Sequence, residues 1–256
     1  MEKIKIFVAT HKKFIIPSVL PRENYTIITN GIQLKSDDYD IIVVPKSYKD
    51  EIGGYSDVEM SETYMLKYIY QHQELIEDAD YVGLNHYRRY FSFLNNLPHL
   101  SDDGNDCVLP IPLKFQNSLR EQYANCHNIE DLELFVQCVK DFDAELGADF
   151  DEYLGKGTFF MFNMFIAKKE LFNKMMSDVT NIMDDFLSKR GNIQDYVNNN
   201  KEKYLKDLTP NNELWYQYRI LGYLQERFSG FYFNRAAKNP LYQKVAITEG
   251  KYGRKM

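Results

Sequence analysis

The chain has 256 residues, is 44% hydrophobic and 27% charged, and carries a formal net charge of −6, which suits one mixed α/β domain with a sizeable core. That acidic balance argues against a general nucleic-acid binder, which needs a basic face, and no apolar run approaches the roughly 18 to 20 residues that span a bilayer. Cys107, Cys126 and Cys138 lack CxxC spacing and read as reduced thiols, and the opening MEKIKIFVAT has a strand pattern rather than a signal peptide's apolar region, so the expectation is a cytoplasmic protein.

The first predicted element is a buried strand over 3–9 that opens into Thr10-His11-Lys12-Lys13. A second apolar segment, Tyr25 to Asn30, closes in an Asn-Gly turn, where Gly31 permits a positive φ or the close approach of a ligand. Tyr39 to Val44 reads as a third strand or part of a loop, stopped by Pro45. After the Gly53-Gly54 loop a helix is expected over 57–70, with Ser56 or Asp57 as its N-cap.

The most informative stretch is 80–91. Tyr81-Val82-Gly83-Leu84 is the short apolar run of a central strand, and it turns abruptly into Asn85, His86, Arg88 and Arg89. Ligands of open α/β sheets bind beyond the carboxyl ends of the strands. Two permanently charged guanidinium forks beside an imidazole suit a phosphate or diphosphate. The competing reading is surface arginines paired with the acidic surplus.

Beyond that strand, 92–130 is hard to read. Asp102, Asp103 and Asp106 lack EF-hand spacing and fit a solvated turn better than a metal site. Cys107 to Pro112 is expected at an edge or in a loop because of its prolines. A helix is expected from Asn128 to Val139. Thr158 to Ala167 reads as a strongly apolar strand interrupted by Asn163, whose amide is either a satisfied core group or a ligand contact. A long amphipathic helix follows from Lys168 to about Arg190, then a polar loop or frayed end over 198–203. Thr209 to Glu213 starts a helix running to Phe228 and carrying Arg219, Glu226 and Arg227. With no repeat or linker visible, one domain over 1–256 is expected. Its segment 230–256 reads as a basic tail that is either merely solvated or attracted to an anionic membrane.

The run GLNHYRRYF resembles the GLxHYRRYF signature of a family of bacterial glycosyltransferases long catalogued as a domain of unknown function. KIKIFVATHKKF, SETY, FNMFIAKKELF and RILGYLQER fit the same family in the same order, so the resemblance covers about 3–228. It implies an α/β, single-domain, GT-A-like nucleotide-sugar-binding fold: a mixed, mostly parallel central sheet flanked by helices. It also implies transfer of a sugar, galactose in pyranose or furanose form, from a UDP-sugar to a glycan or lipid-linked glycan. The setting would be capsule or lipopolysaccharide synthesis at the inner face of the membrane. On this resemblance Thr10 and His11 lie near the base or ribose, and Gly31, Asn85, Asn163 and Arg219 complete the donor-binding set.

His86, Arg88 and Arg89 would stand where fold relatives hold a divalent metal with an Asp-x-Asp, acting as fixed electrophiles with no metal required. The general base is left open among Asp57, Glu62, Glu226 and His86. The chain departs from the family where GDNIS is usual and GGYSD stands, while Glu62 and Thr63 match the ELT that follows. A non-catalytic nucleotide- or glycan-binding module and another phosphate-linked group transferase are the alternative readings.

Overall fold

A computed structural model describes residues 2–15, 17, 20–93, 97, 99–205 and 213–247. Its strands are β1 (Ile4–Thr10), β2 (Tyr25–Asn30), β3 (Ile41–Val44), β4 (Tyr81–His86), β5 (Arg89–Phe91), β6 (Cys107–Pro110), β7 (Leu113–Lys114), β8 (Thr158–Phe159), β9 (Phe165–Lys168), β10 (Pro240–Gln243) and β11 (Val245–Ile247). The helices are α1 (Tyr48–Glu51), α2 (Asp57–Met60), α3 (Glu62–Gln71), α4 (Leu119–Cys126), α5 (Ile129–Phe142), α6 (Ala144–Leu154), α7 (Lys169–Arg190), α8 (Ile193–Asn199), α9 (Lys201–Tyr204), α10 (Leu214–Gln217) and α11 (Ile220–Ala236).

The main sheet runs in the order β10-β6-β9-β4-β1-β2-β3. Strands β1, β2, β3 and β4 are parallel, β10 is parallel to β6, and β9 lies antiparallel between β4 and β6. This is the mixed α/β sheet expected of a GT-A-like fold. Alternation along each strand sends neighbours to opposite faces. Phe7, Ala9, Val82 and Leu84 share one core with residues of α3, α5, α7 and α11, while Ile6, Val8, Tyr25 and Tyr81 share a second with Tyr87, Tyr90 and Phe91 of the β4–β5 hairpin. Gly83 is required where β9 crosses: a Cβ there would lie 2.8 Å from the Ile166 side chain.

Several segments differ from the sequence expectation. The helix expected over 57–70 is broken at Ser61, whose φ of 53° ends α2 and starts α3. Local propensity does not predict this break, because its cause is tertiary: Arg219 Nε donates to Ser61 Oγ at 2.8 Å, and α11 presses against the same residue through Gly222. Cys107–Pro110 is interior rather than an edge, lying between β9 and β10. Its proline is tolerated because Pro110 is the last strand residue and the next amide, Ile111, resumes bonding to Gln243 O at 2.8 Å. The apolar run 158–167 is two strands separated by a sharp turn, and Asn163 sits in that turn, not within a strand.

Of the helix expected from Thr209, residues 209–212 lie outside the described residues. The remainder divides into α10 and α11 around Tyr218 and Arg219. The stretch 198–203 is largely helical, in α8 and α9. The segment expected as a basic tail is structured over much of its length. Gly230 to Ala236 completes α11, and β10 and β11 join the sheet, because apolar residues such as Phe231 and Phe233 are buried there. Residues 248–256 lie outside the described residues. Among the described residues no helix is long and apolar enough to cross a membrane.

Candidate active site

Strand order reverses at the β1–β4 boundary: β1 leads to β2 on one side, and the chain returns to β4 on the other. Such a switch point leaves a crevice beyond the strand carboxyl ends. Here the crevice is flanked by His11, just after β1, and His86, at the end of β4, with ring centroids 6.4 Å apart. A cavity of about 290 Å³ opens over it, and its wall includes His11, Ser61, Glu62, His86, Arg88, Arg89, Phe162, Asn163, Arg219 and Glu226. A second cavity of about 300 Å³ adjoins it and shares His11, Ser61, Glu62 and Arg219.

The floor is a histidine–carboxylate contact. His86 Nε2 lies 3.3 Å from Glu62 Oε1, with Glu62 supplied by the first turn of α3. Burial pushes the Glu62 carboxyl upward, but its hydrogen bonds to His86 and to its own first-turn amide, with the nearby Arg219 charge, outweigh burial and hold it below the ordinary carboxylate range. On the other side of His86, the amide of Arg88 donates to Nδ1 at 3.3 Å, which fixes the ring from both ends. The tight β4–β5 hairpin sets Arg89 opposite His86. The Arg88 guanidinium lies 5.1 Å from the Tyr87 ring centroid and that of Arg89 4.0 Å from Phe162, so aromatic faces orient both cations.

Glu226 enters from α11. Its Oε1 accepts the Phe162 amide at 2.6 Å. Burial raises its pKa, opposed by Arg227 and the Phe162 amide and reinforced by Glu62. The cavity therefore holds two carboxyl groups pushed in opposite directions, Glu62 down and Glu226 up, an arrangement that separates acid and base roles. Its wall is also strained. Ser61, Phe162 and Asn163 are the non-glycine residues with positive φ among the described residues, and all three line this cavity. Such conformations cost about 1–3 kcal/mol each and persist where surrounding contacts enforce them. Those contacts are Arg219 on Ser61, Glu226 on the Phe162 amide, and Ser229 Oγ donating to Asn163 Oδ1 at 2.9 Å.

Of the residues expected at the site, His11, Glu62, His86, Arg88, Arg89, Asn163, Arg219 and Glu226 converge on this cavity, and Asp57 lines the adjoining one. Burial raises the Asp57 carboxyl, opposed by its own first-turn amide. Three residues stand apart from both linings. The Thr10 hydroxyl donates to Lys12 O at 2.6 Å and shapes the turn that presents His11. Gly31 has the anticipated positive φ, 63°, beside Lys46. Asn85 is buried on the opposite sheet face from His86, against Tyr25.

Sequence reading missed Ser61, Phe162, Trp215, Tyr216, Gly222 and Tyr223 as wall residues. Ser61, Phe162, Gly222 and Tyr223 carried a signal, within the SETY, FNMFIAKKELF and RILGYLQER segments, whereas Trp215 and Tyr216 carried none. A Cβ on Gly222 would lie 2.7 Å from Ser61 Oγ, so glycine is what lets α11 close the site. Arg227, next to Glu226, turns away from it. Its guanidinium donates to Gln122 Oε1 at 2.6 Å and stacks near Tyr123.

A likeness in fold is found with the apo structure of the WbbM bifunctional glycosyltransferase: TM-score 0.66 at 14% identity, over 96% of this chain and 45% of that one. The chain thus spans less than half the length of that protein. A weaker likeness, TM-score 0.36 at 12% identity over 72% of this chain and 62% of that one, is to the mannosyltransferase Ktr4p from S. cerevisiae in complex with GDP. No curated protein matches the chain. The family model described as a domain of unknown function, DUF4422, matches residues 5–205. With that match covering most of its length, the chain belongs to the DUF4422 family.

Proposed function

We propose that this chain is a glycosyltransferase that moves a sugar from a nucleotide sugar to a hydroxyl of a glycan acceptor. The observation that carries this reading is the pairing, in one switch-point cavity, of an arginine cluster with two carboxyl groups of opposed pKa. The arginines match the needs of a diphosphate leaving group. Glu226, the carboxyl with the raised pKa, is the better proton acceptor, while Glu62 stays ionised and holds His86 in place.

In the step proposed, Glu226 takes the proton of the acceptor hydroxyl as its oxygen attacks the anomeric carbon. The bond from that carbon to the diphosphate oxygen breaks. The electron pair leaves with the nucleoside diphosphate, whose charge Arg88 and Arg89 offset. This is a single displacement with inversion. The finer assignments come from the signature resemblance and belong to the same proposal: UDP as the nucleotide, galactose as the sugar, a surface polysaccharide or its lipid-linked precursor as the product, one domain over the whole chain, and contact with the inner face of a membrane.

A non-catalytic binding module shares the arginines but has no need of opposed carboxyl groups or a strained wall. The test is a thermal-shift screen of UDP-, GDP-, dTDP- and CMP-sugars, followed by incubation of the stabilising ligand with acceptor glycans. Multiple turnovers with a product heavier by one sugar support the reading. Binding without consumption, or a product heavier by a phosphoryl-type group, overturns it.

A further inference from the structure

The two adjoining cavities differ in chemistry, and the difference orients a ligand. The first is cationic and polar, with Arg88, Arg89, Asn163 and Glu226 in its wall; of its rings, Phe162 is covered by the Arg89 guanidinium, and Tyr216 and Tyr223 are joined by a hydrogen bond from the Tyr223 hydroxyl. The second, apart from the four residues it shares, is lined by Asp57, Val58, Met65 and Trp215. Trp215 and Val58 are 50% and 42% exposed in one wall, and Met65, which shares it, is buried. The indole N–H of Trp215 is already donated to Glu213, so the ring is held in orientation and offers a ligand its face rather than its polar edge.

Building on the function proposed above, we propose that this second cavity is the nucleoside subsite of the donor, with the base stacked on Trp215 and ribose hydroxyls donated to Asp57. The argument is one of complementarity. A sugar nucleotide has three parts in line: a planar base on a ribose, a diphosphate, and a hexose ringed with hydroxyls. The diphosphate belongs with the arginines. The hexose needs many hydrogen-bonding partners, which the polar cavity supplies and the more apolar one does not. The base needs a flat apolar contact, which Trp215, Val58 and Met65 supply. The shared residues His11, Ser61, Glu62 and Arg219 form the passage between the halves, and Arg219 places a guanidinium where the nucleoside end of the diphosphate would lie.

Trp215 is the only tryptophan of the chain, so its emission reports on this cavity alone. Titration with UDP and GDP is expected to quench it saturably, whereas pyrophosphate, which has no base, should displace the nucleotide without quenching. By calorimetry, Trp215→Ala should weaken nucleoside diphosphate binding by about tenfold, as for loss of an aromatic stacking platform, and leave pyrophosphate binding unchanged. The side chain is half exposed, and an unchanged circular dichroism spectrum would establish that the variant is folded. Nucleotide binding that is indifferent to Trp215→Ala overturns this assignment while leaving the transferase reading standing. Quenching by acceptor oligosaccharides but not by nucleotides makes the cavity an acceptor site and also overturns it. Failure of both nucleotides and pyrophosphate to bind removes the transferase reading as well.

Discussion

Glu62 Oε1 and His86 Nε2 lie 3.3 Å apart, joining the first turn of α3 to the last residue of β4 across the cavity floor. Burial alone would raise the Glu62 carboxyl, yet its bond to His86 and the nearby charges lower it from 4.5 to about 2. A carboxyl depressed on folding stabilises the fold fully above its unfolded value, and that contribution is lost as pH falls from about 4.5 toward about 2. Glu62→Gln should therefore lose stability at pH 7 but show a shallower decline between pH 5 and 3. Urea midpoints across that range check this, and parallel curves for the two proteins would refute it.

The two hairpin arginines should matter for transfer more than for folding. Arg88→Ala and Arg89→Ala are each expected to lower turnover by at least about tenfold, the equivalent of a charge-assisted phosphate contact of roughly 1.5 kcal/mol or more. Initial rates at saturating acceptor read the effect. Wild-type rates in both folded variants would remove the arginines from the mechanism.

Glu226→Gln keeps an acceptor for the Phe162 amide but cannot take a proton. Turnover should fall by about 100-fold or more, as for loss of a general base, with donor affinity little changed. The acid limb of the pH–rate profile should lie above the ordinary carboxylate range, because burial raises this group, and should vanish in the variant. A variant that keeps the limb would shift the base assignment to another residue.

His127 supports the site from behind, stacked on Tyr223 at 4.1 Å with Nδ1 3.0 Å from Gln217 Oε1. Burial, then the charge of Arg227, pushes its pKa from 6.5 down to about 3. Between those values the unfolded chain binds a proton that the folded chain refuses. Stability is thus fully present above about pH 6.5 and declines as pH falls, by up to about 1.4 kcal/mol per pH unit. The difference between wild type and His127→Gln isolates this slope from that of the carboxyl groups. Identical slopes from pH 6.5 to 4.5 would contradict it.

Transfer is expected to persist in excess chelator. Arg88, Arg89 and Arg219 put positive charge in the cavity wall, Glu62 is paired with His86, and Glu226 holds the Phe162 amide. Fixed guanidinium groups can offset a leaving diphosphate by themselves. Initial rates with chelator, then with magnesium or manganese restored, are the measurement. Activity lost to chelator and recovered with manganese would overturn the expectation.

The sequence by itself determined what depends on neighbours along the chain. The short apolar runs of β1, β2 and β4 are legible because burying both faces of a central strand demands them. The cation cluster after β4 is legible because it follows such a run directly. Asn128 as the cap of α5 and Gly191 as the end of α7 are equally local, each set by unsatisfied amides or by a positive φ. Only the tertiary structure decided which distant groups meet.

Glu62 meets His86, Glu226 meets the Phe162 amide, and Arg219 meets Ser61 because α3 and α11 are packed over the same end of the sheet. No periodicity encodes such encounters. The same packing overrode local propensity at Ser61 and at Phe162 and Asn163, where a helix and a strand are broken so that side chains can reach one cavity. The placing of Asn85 on the far face of β4 is, by contrast, local, because successive residues of a strand cannot point the same way.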